Sequence, residues 1–133
     1  MNIILCVDKN NGLLFFGKRL SLDCVLREKI LEISSGGKLW VNSYTADQFE
    51  DKSALCIDEN PLSCAGENDF CFVENIPVDI TDAKKFYLFN WNRDYPADVF
   101  FDVDLQAEGF KKTGSDKFEG NSHKKITLEI FER

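Results

Sequence analysis

Residues 2–8, NIILCVD, set five consecutive apolar side chains between Asn2 and Asp8. A run of that length with polar ends reads as a buried strand. The residues that follow, Asp8-Lys9-Asn10-Asn11-Gly12, form a turn, because Asn and Gly reach positive φ cheaply. Leu22, Leu26, Ile30 and Ile33, with Val25 beside them, then recur at helical spacing. They predict an amphipathic helix over 22–33, capped by Ser21 and ended by Ser34-Ser35-Gly36-Gly37. A second strand is expected over Lys38–Asn42 (KLWVN). Thr45-Ala46-Asp47-Gln48 fits a capping box and predicts a brief helix reaching Phe49. Strand, helix, strand, helix is the opening of a partly parallel sheet covered by helices.

The later chain completes that sheet. Ala54–Ile57, Phe70–Glu74 and Lys85–Asn90 read as three more strands, with 59–68 as a loop around Pro61 and Gly66. Val99–Phe101 is a short extended piece. Residues 108–118 and 124–132 form the last pair, joined through Gly120-Asn121-Ser122. In the second of these, Ile126, Leu128 and Ile130 alternate with Thr127, Glu129 and Phe131, which is strand periodicity and predicts an antiparallel hairpin. The expected fold is therefore α/β, a mixed sheet with an antiparallel edge, in a single domain over 1–133.

Composition narrows the function. Hydrophobic residues are 44% and charged residues 29% of 133, which is globular and excludes a disordered chain, a collagen and a coiled coil. No apolar run approaches the roughly 20 residues of a membrane span. Ile3–Val7 is too short, and lacks the basic flank, for a signal peptide. The net charge of −7 repels phosphate backbones, and Lys111-Lys112 and Lys124-Lys125 are short pairs beside acids, so nucleic acid is not an expected partner. The five cysteines, Cys6, Cys24, Cys56, Cys64 and Cys71, form no CxxC, so reduced thiols in a cytoplasmic protein are expected, packed as small core residues. Asp98, Asp102 and Asp104 lack EF-hand spacing, and no metal is expected. The one histidine, His123, excludes multi-histidine metal hydrolases. Any Ser-His-Asp or Cys-His chemistry would rest on it alone, and in its polar stretch it is expected to be solvated.

The order of these pieces resembles dihydrofolate reductase. Similar features are the opening strand, a glycine-bearing loop with Gly12 and Gly17, the helix start Leu20-Ser21-Leu22-Asp23, and the late strand Lys85-Phe86-Tyr87-Leu88. The stretch Asp98 to Leu105 and the ending Glu129-Ile130-Phe131-Glu132-Arg133 also resemble that family. The resemblance covers about three-fifths of the chain. It implies a three-layer mixed sheet with helices on both faces and a C-terminal antiparallel hairpin. It places the family's substrate acid, which hydrogen-bonds a pterin ring, on Asp23. The residues themselves equally allow Asp23 a place in the first helical turn, favoured by the helix dipole.

The cofactor side departs from the family. A Gly-Arg-x-Thr loop would grip a 2′-phosphate; here it reads Asn42-Ser43-Tyr44-Thr45, keeping Thr45 but placing neutral Ser43 where the arginine would be. That loss removes roughly 1.5–3 kcal/mol of binding. The family's glycines after a later strand are replaced by Glu74-Asn75, a carboxylate that repels a diphosphate. The stretch between Phe49 and Lys85 is short. Arg27 stands where an aromatic would stack on the pterin, and could pair with Asp23 and Glu28 or meet an anionic substrate.

The expected function is thus a divergent dihydrofolate reductase-like pseudoenzyme without NADPH, acting as a binding or interaction module. The alternative is an NADPH-dependent reductase of a pterin-like or other small substrate with an altered cofactor site. A third reading, an anion binder, would use Lys18, Arg19, Arg27 and Thr45. Shortening should uncover apolar sheet surface, so a homodimer is expected, with Trp91, Phe100 and Phe101 as contact residues.

Overall fold

A computed structural model describes residues 1–133. The strand at Asn2–Val7 (β1) is central, and its alternation serves two cores. Ile3, Leu5 and Val7 point to one face, among Phe86, Phe101, Leu105 and Phe110. Ile4 and Cys6 point to the other, among Leu26, Ile30, Val41, Phe89 and Leu128. Seven of the 12 phenylalanines (Phe49, Phe70, Phe72, Phe86, Phe89, Phe101, Phe110) are buried, so most of the phenylalanines are core. Each such burial is worth about 1.5–3 kcal/mol.

Strands follow at Gly12–Phe15 (β2), Lys18–Arg19 (β3), Leu39–Val41 (β4), Leu55–Ile57 (β5), Phe70–Phe72 (β6), Lys85–Asn90 (β7), Val99–Phe100 (β8), Lys111–Phe118 (β9) and Ile126–Glu132 (β10). Seven form one sheet in the order β5-β4-β6-β1-β7-β10-β9. Pairing is parallel from β5 to β7 and antiparallel across β7-β10-β9, which gives the expected mixed sheet and terminal hairpin. The other three, β3-β2-β8, form a small antiparallel sheet.

Three helices pack on the large sheet: Cys24–Ile33 (α1), Ser43–Ala46 (α2) and Pro61–Cys64 (α3). Leu26 and Ile30 of α1 and Ala46 of α2 enter one core, and Leu62 of α3 packs against the other, so helices lie on both faces. The start of α1 differs from the sequence expectation. Its cap is Asp23, which accepts from the backbone N–H of Val25 and Leu26; Ser21 is two residues outside, and Leu22 is exposed. Likewise Asn42, not Thr45, caps α2, with its Oδ1 accepting from Thr45 N at 2.9 Å. The expected loop over 59–68 contains α3, which Pro61 starts from its first turn, where the missing N–H costs nothing.

The cysteines divide. Cys71 is buried, Cys6 and Cys56 are half-buried, and Cys24 and Cys64 are exposed on α1 and α3, away from any strand. The stretch between Phe49 and Lys85 still supplies β5, α3 and β6, so that half of the sheet persists with short connections. Of the three aromatics expected at a contact surface, Trp91 and Phe101 are core residues and only Phe100 is exposed. Of the six exposed large apolar side chains, Phe15, Phe16, Val99 and Phe100 belong to the small sheet and its turn, and Leu22 and Ile57 lie elsewhere. No helix is long and apolar enough to cross a membrane.

Candidate functional site

Two polar clusters lie at the carboxyl ends of the parallel strands and around the start of α1. The first centres on Asp23. Besides capping α1, its carboxylate accepts from Asn121 N at 3.2 Å, Ser122 N at 3.0 Å, Ser122 Oγ at 3.1 Å and His123 Nδ1 at 3.2 Å. The β9–β10 turn therefore wraps the carboxylate. Gly120 permits this, since a Cβ there would collide with the Asp23 carboxylate. Burial alone would push the Asp23 carboxyl up. The backbone donors of Ser122 and Asn121, with His123 and Leu26, outweigh that and bring it down to about 2.

His123 is not solvated as expected; its side chain is 2% exposed. Its ring lies 4.6 Å from the Trp91 ring, centroid to centroid. An ionised carboxylate only accepts, so Nδ1–H donates to Asp23, and Nε2 faces two hydroxyls, Tyr95 Oη at 2.8 Å and Ser21 Oγ at 3.1 Å. Residues from three separate segments of the chain, 21–23, 91–95 and the β9–β10 turn, thus meet at one imidazole.

The second cluster centres on Glu74, whose side chain is 8% exposed. Arg19 donates to it twice, Nε to Oε2 at 2.9 Å and an Nη to Oε1 at 3.1 Å. Thr45 Oγ1 and Gln48 Nε2 also donate to Oε1, at 2.9 and 3.0 Å. Arg19 stacks on Tyr44, 4.2 Å from the ring centroid, and donates to the Tyr44 carbonyl at 3.0 Å. Beside this pair, Asn42 Nδ2 donates to Asn75 Oδ1 at 2.7 Å. The loop after β4 and the loop after β6 are therefore tied together, side chain to side chain. Burial opposes the charge on Arg19, but its contact with Glu74 prevails and holds it more firmly protonated than usual. Burial, reinforced by Glu74, raises the neighbouring Cys6 thiol well above its ordinary range, so it is no nucleophile. Between Cys6, Ser21, Glu74 and Trp91 there remains a cavity of about 10 Å³, the space of about one water.

The residues singled out by sequence fall as follows. Asp23 is at the centre of the first cluster, with its lone pairs occupied. Thr45 is fully buried and spent on Glu74. Ser43 is exposed, and both its N–H and its hydroxyl donate to Glu59. Arg27 makes no ion pair with Asp23 or Glu28; it lies in a shallow groove with Cys24, Leu31, Phe49 and Glu50. The structure does not bring Asp23, Ser43, Thr45 and Arg27 into one pocket. Sequence reasoning missed His123 and Tyr95, whose only signal was that each polar ring had to find partners in a fold that brings distant loops together. It noticed Glu74 only as an obstruction and Arg19 only as a free cation.

The large sheet is thus a mixed α/β sheet with both polar clusters at the carboxyl ends of its parallel strands, where open α/β sheets place their crevices. Among solved structures, the chain is similar to a dihydrofolate reductase from Enterococcus faecalis, complexed with NADP(H) and RAB-propyl. The TM-score is 0.67 at 10% sequence identity, covering 99% of this chain and 95% of that one. The fold is therefore dihydrofolate reductase-like over essentially the whole chain. No family model matches the sequence, and no curated protein matches it significantly.

Proposed function

We propose that this chain is a dihydrofolate reductase-fold protein that does not reduce a substrate with NADPH, and that it serves as a binding or interaction module. The observation that carries this reading is the side-chain bridge across the cleft. Thr45 and Glu74, which would flank a dinucleotide if the resemblance extended to the cofactor, hydrogen-bond each other instead. Opening that cleft would break the Thr45 and Gln48 hydrogen bonds to the Glu74 carboxylate, each worth about 1.5–3 kcal/mol as a bond to a charged group. Asp23 has no lone pair left for a pterin. A hydride-transfer enzyme without its nicotinamide has no source of electrons.

The interaction surface in this reading is the β8 side of the small sheet, where Val99 and Phe100 are exposed. It rims a groove of about 430 Å³ with Leu13, Ile76 and Val78 in its walls. A second copy of the chain is the partner proposed. Sedimentation at micromolar concentration should show a dimer that Phe100→Ser dissociates; a clean monomer would remove this part of the reading.

The competing reading, an NADPH-dependent reductase with an altered cofactor site, is favoured by the NADP(H) complex of the similar structure. A coupled assay separates the two. With dihydrofolate and NADPH supplied at millimolar levels, no protein-dependent fall in nicotinamide absorbance is expected. A rate that survives purification and disappears in Asp23→Asn would establish the reductase instead.

A further inference from the structure

Ser21, His123 and Asp23 stand in the order nucleophile, base, orienting acid. Ser21 Oγ is 3.1 Å from His123 Nε2, and His123 Nδ1 is 3.2 Å from Asp23 Oδ2. The base and acid are almost fully buried, at 2% and 0% side-chain exposure, while Ser21 is only half-buried. The carboxylate fixes the tautomer that leaves Nε2 as an acceptor, shared by the Ser21 and Tyr95 hydroxyls, and an accepting Nε2 is what a serine nucleophile requires. Ser21 itself faces the cavity of about 10 Å³, and a groove of about 340 Å³ begins at the adjacent Leu20, walled by Phe15, Phe16, Pro96 and Tyr95 with the cationic Lys18 and Arg19. Its mixed apolar and cationic lining suits a small ester with an aromatic or short aliphatic acyl group.

We propose that Ser21 is a nucleophile for such esters, with His123 as its general base and Asp23 as the residue that positions the imidazole. Ser21 Oγ forms a bond to the ester carbonyl carbon while its proton passes to His123 Nε2. The tetrahedral adduct collapses by breaking the bond to the alcohol oxygen, which takes the proton from Nε2. Water then attacks the acyl-Ser21 carbonyl, giving up a proton to His123, and Ser21 leaves with that proton as the carboxylic acid departs. Tyr95 Oη, 2.8 Å from the same Nε2, competes with Ser21 for the base and holds the resting site in check. This activity draws nothing from the Glu74 bridge, so it stands or falls apart from the loss of NADPH chemistry.

An alkyl fluorophosphonate tests the assignment, because it reports an activated serine without requiring the natural ester. The full chain should take up one label, mapped by mass spectrometry to Ser21 and absent in Ser21→Ala. His123→Asn should slow labelling by about 100-fold or more, the usual worth of a positioned base. Tyr95→Phe should label faster than the wild type. Asp23→Asn should change the pH profile of labelling and not only its extent. Ser21 and Tyr95 lie outside the helices and strands, so those two variants keep the test valid even if the buried substitutions unfold the chain. No labelling after hours at millimolar probe would overturn the proposal. So would a label that persists in Ser21→Ala or that maps to Tyr95.

Discussion

Asp23 accepts from six donor atoms, more than the roughly four lone-pair sites of a carboxylate, so several of these contacts are shared. Its folded-state value of about 2 lies below the ordinary 3.8. A depressed carboxylate stabilises the fold fully above about pH 4, and its contribution is lost as pH falls through 2. Urea unfolding of Asp23→Asn should therefore show a stability deficit at pH 7 that narrows steadily between pH 4 and pH 2. Glu74 makes a parallel case. In Glu74→Ala the Arg19 guanidinium, the Thr45 hydroxyl and the Gln48 amide lose their common acceptor, and about 3 kcal/mol of stability should go with it, read as a lowered urea midpoint. These two residues also mark what a sequence conveys. That Asp23 sits at a helix start was legible, because an acid next to an amphipathic run favours that place. That His123 would reach it was not, because the partners stand 100 positions apart and only the β9–β10 turn brings them together.

At the scale of elements, the strands of the large sheet were legible, while the caps and the short strands β2 and β3, expected as a glycine-bearing loop, were not. β7 coincides with its apolar run, and β10 with its period-two pattern, since both are set by which side chains can be buried. The starts of α1 and α2 shifted because Ser21 and Thr45 are both used elsewhere, on His123 and on Glu74, leaving Asp23 and Asn42 to cap. The β2–β3 hairpin carries the clearest local cost. Its two-residue turn holds Phe16 at φ +50° and Gly17 at φ +74°, and Phe16 is 78% exposed. A bulky residue in that region is strained, where Asn is well suited. Phe16→Asn should stabilise the monomer by about 1 kcal/mol in thermal or urea unfolding. If the contact face reaches from β8 to this turn, the same change should weaken self-association. A gain in stability with association intact would detach Phe16 from that face.

At the scale of the whole molecule, the fold is dihydrofolate reductase-like, and fold alone does not carry function. The order of strands and helix along the chain was enough to suggest the fold. The state of the cleft could not be read the same way, since Glu74 in sequence is only an acid where glycine would serve a diphosphate. In the structure it is the acceptor for Arg19, Thr45 and Gln48, and the two loops close on each other. Trp91 lines the residual cavity beside Glu74, so its fluorescence reports anything that enters. Titration of the purified chain with NADPH, following tryptophan quenching and nicotinamide emission together, should give no saturable change up to millimolar cofactor. Saturation in the micromolar range, lost when Thr45 is replaced by valine, would mean that the bridge opens to admit a dinucleotide and that the cleft still works.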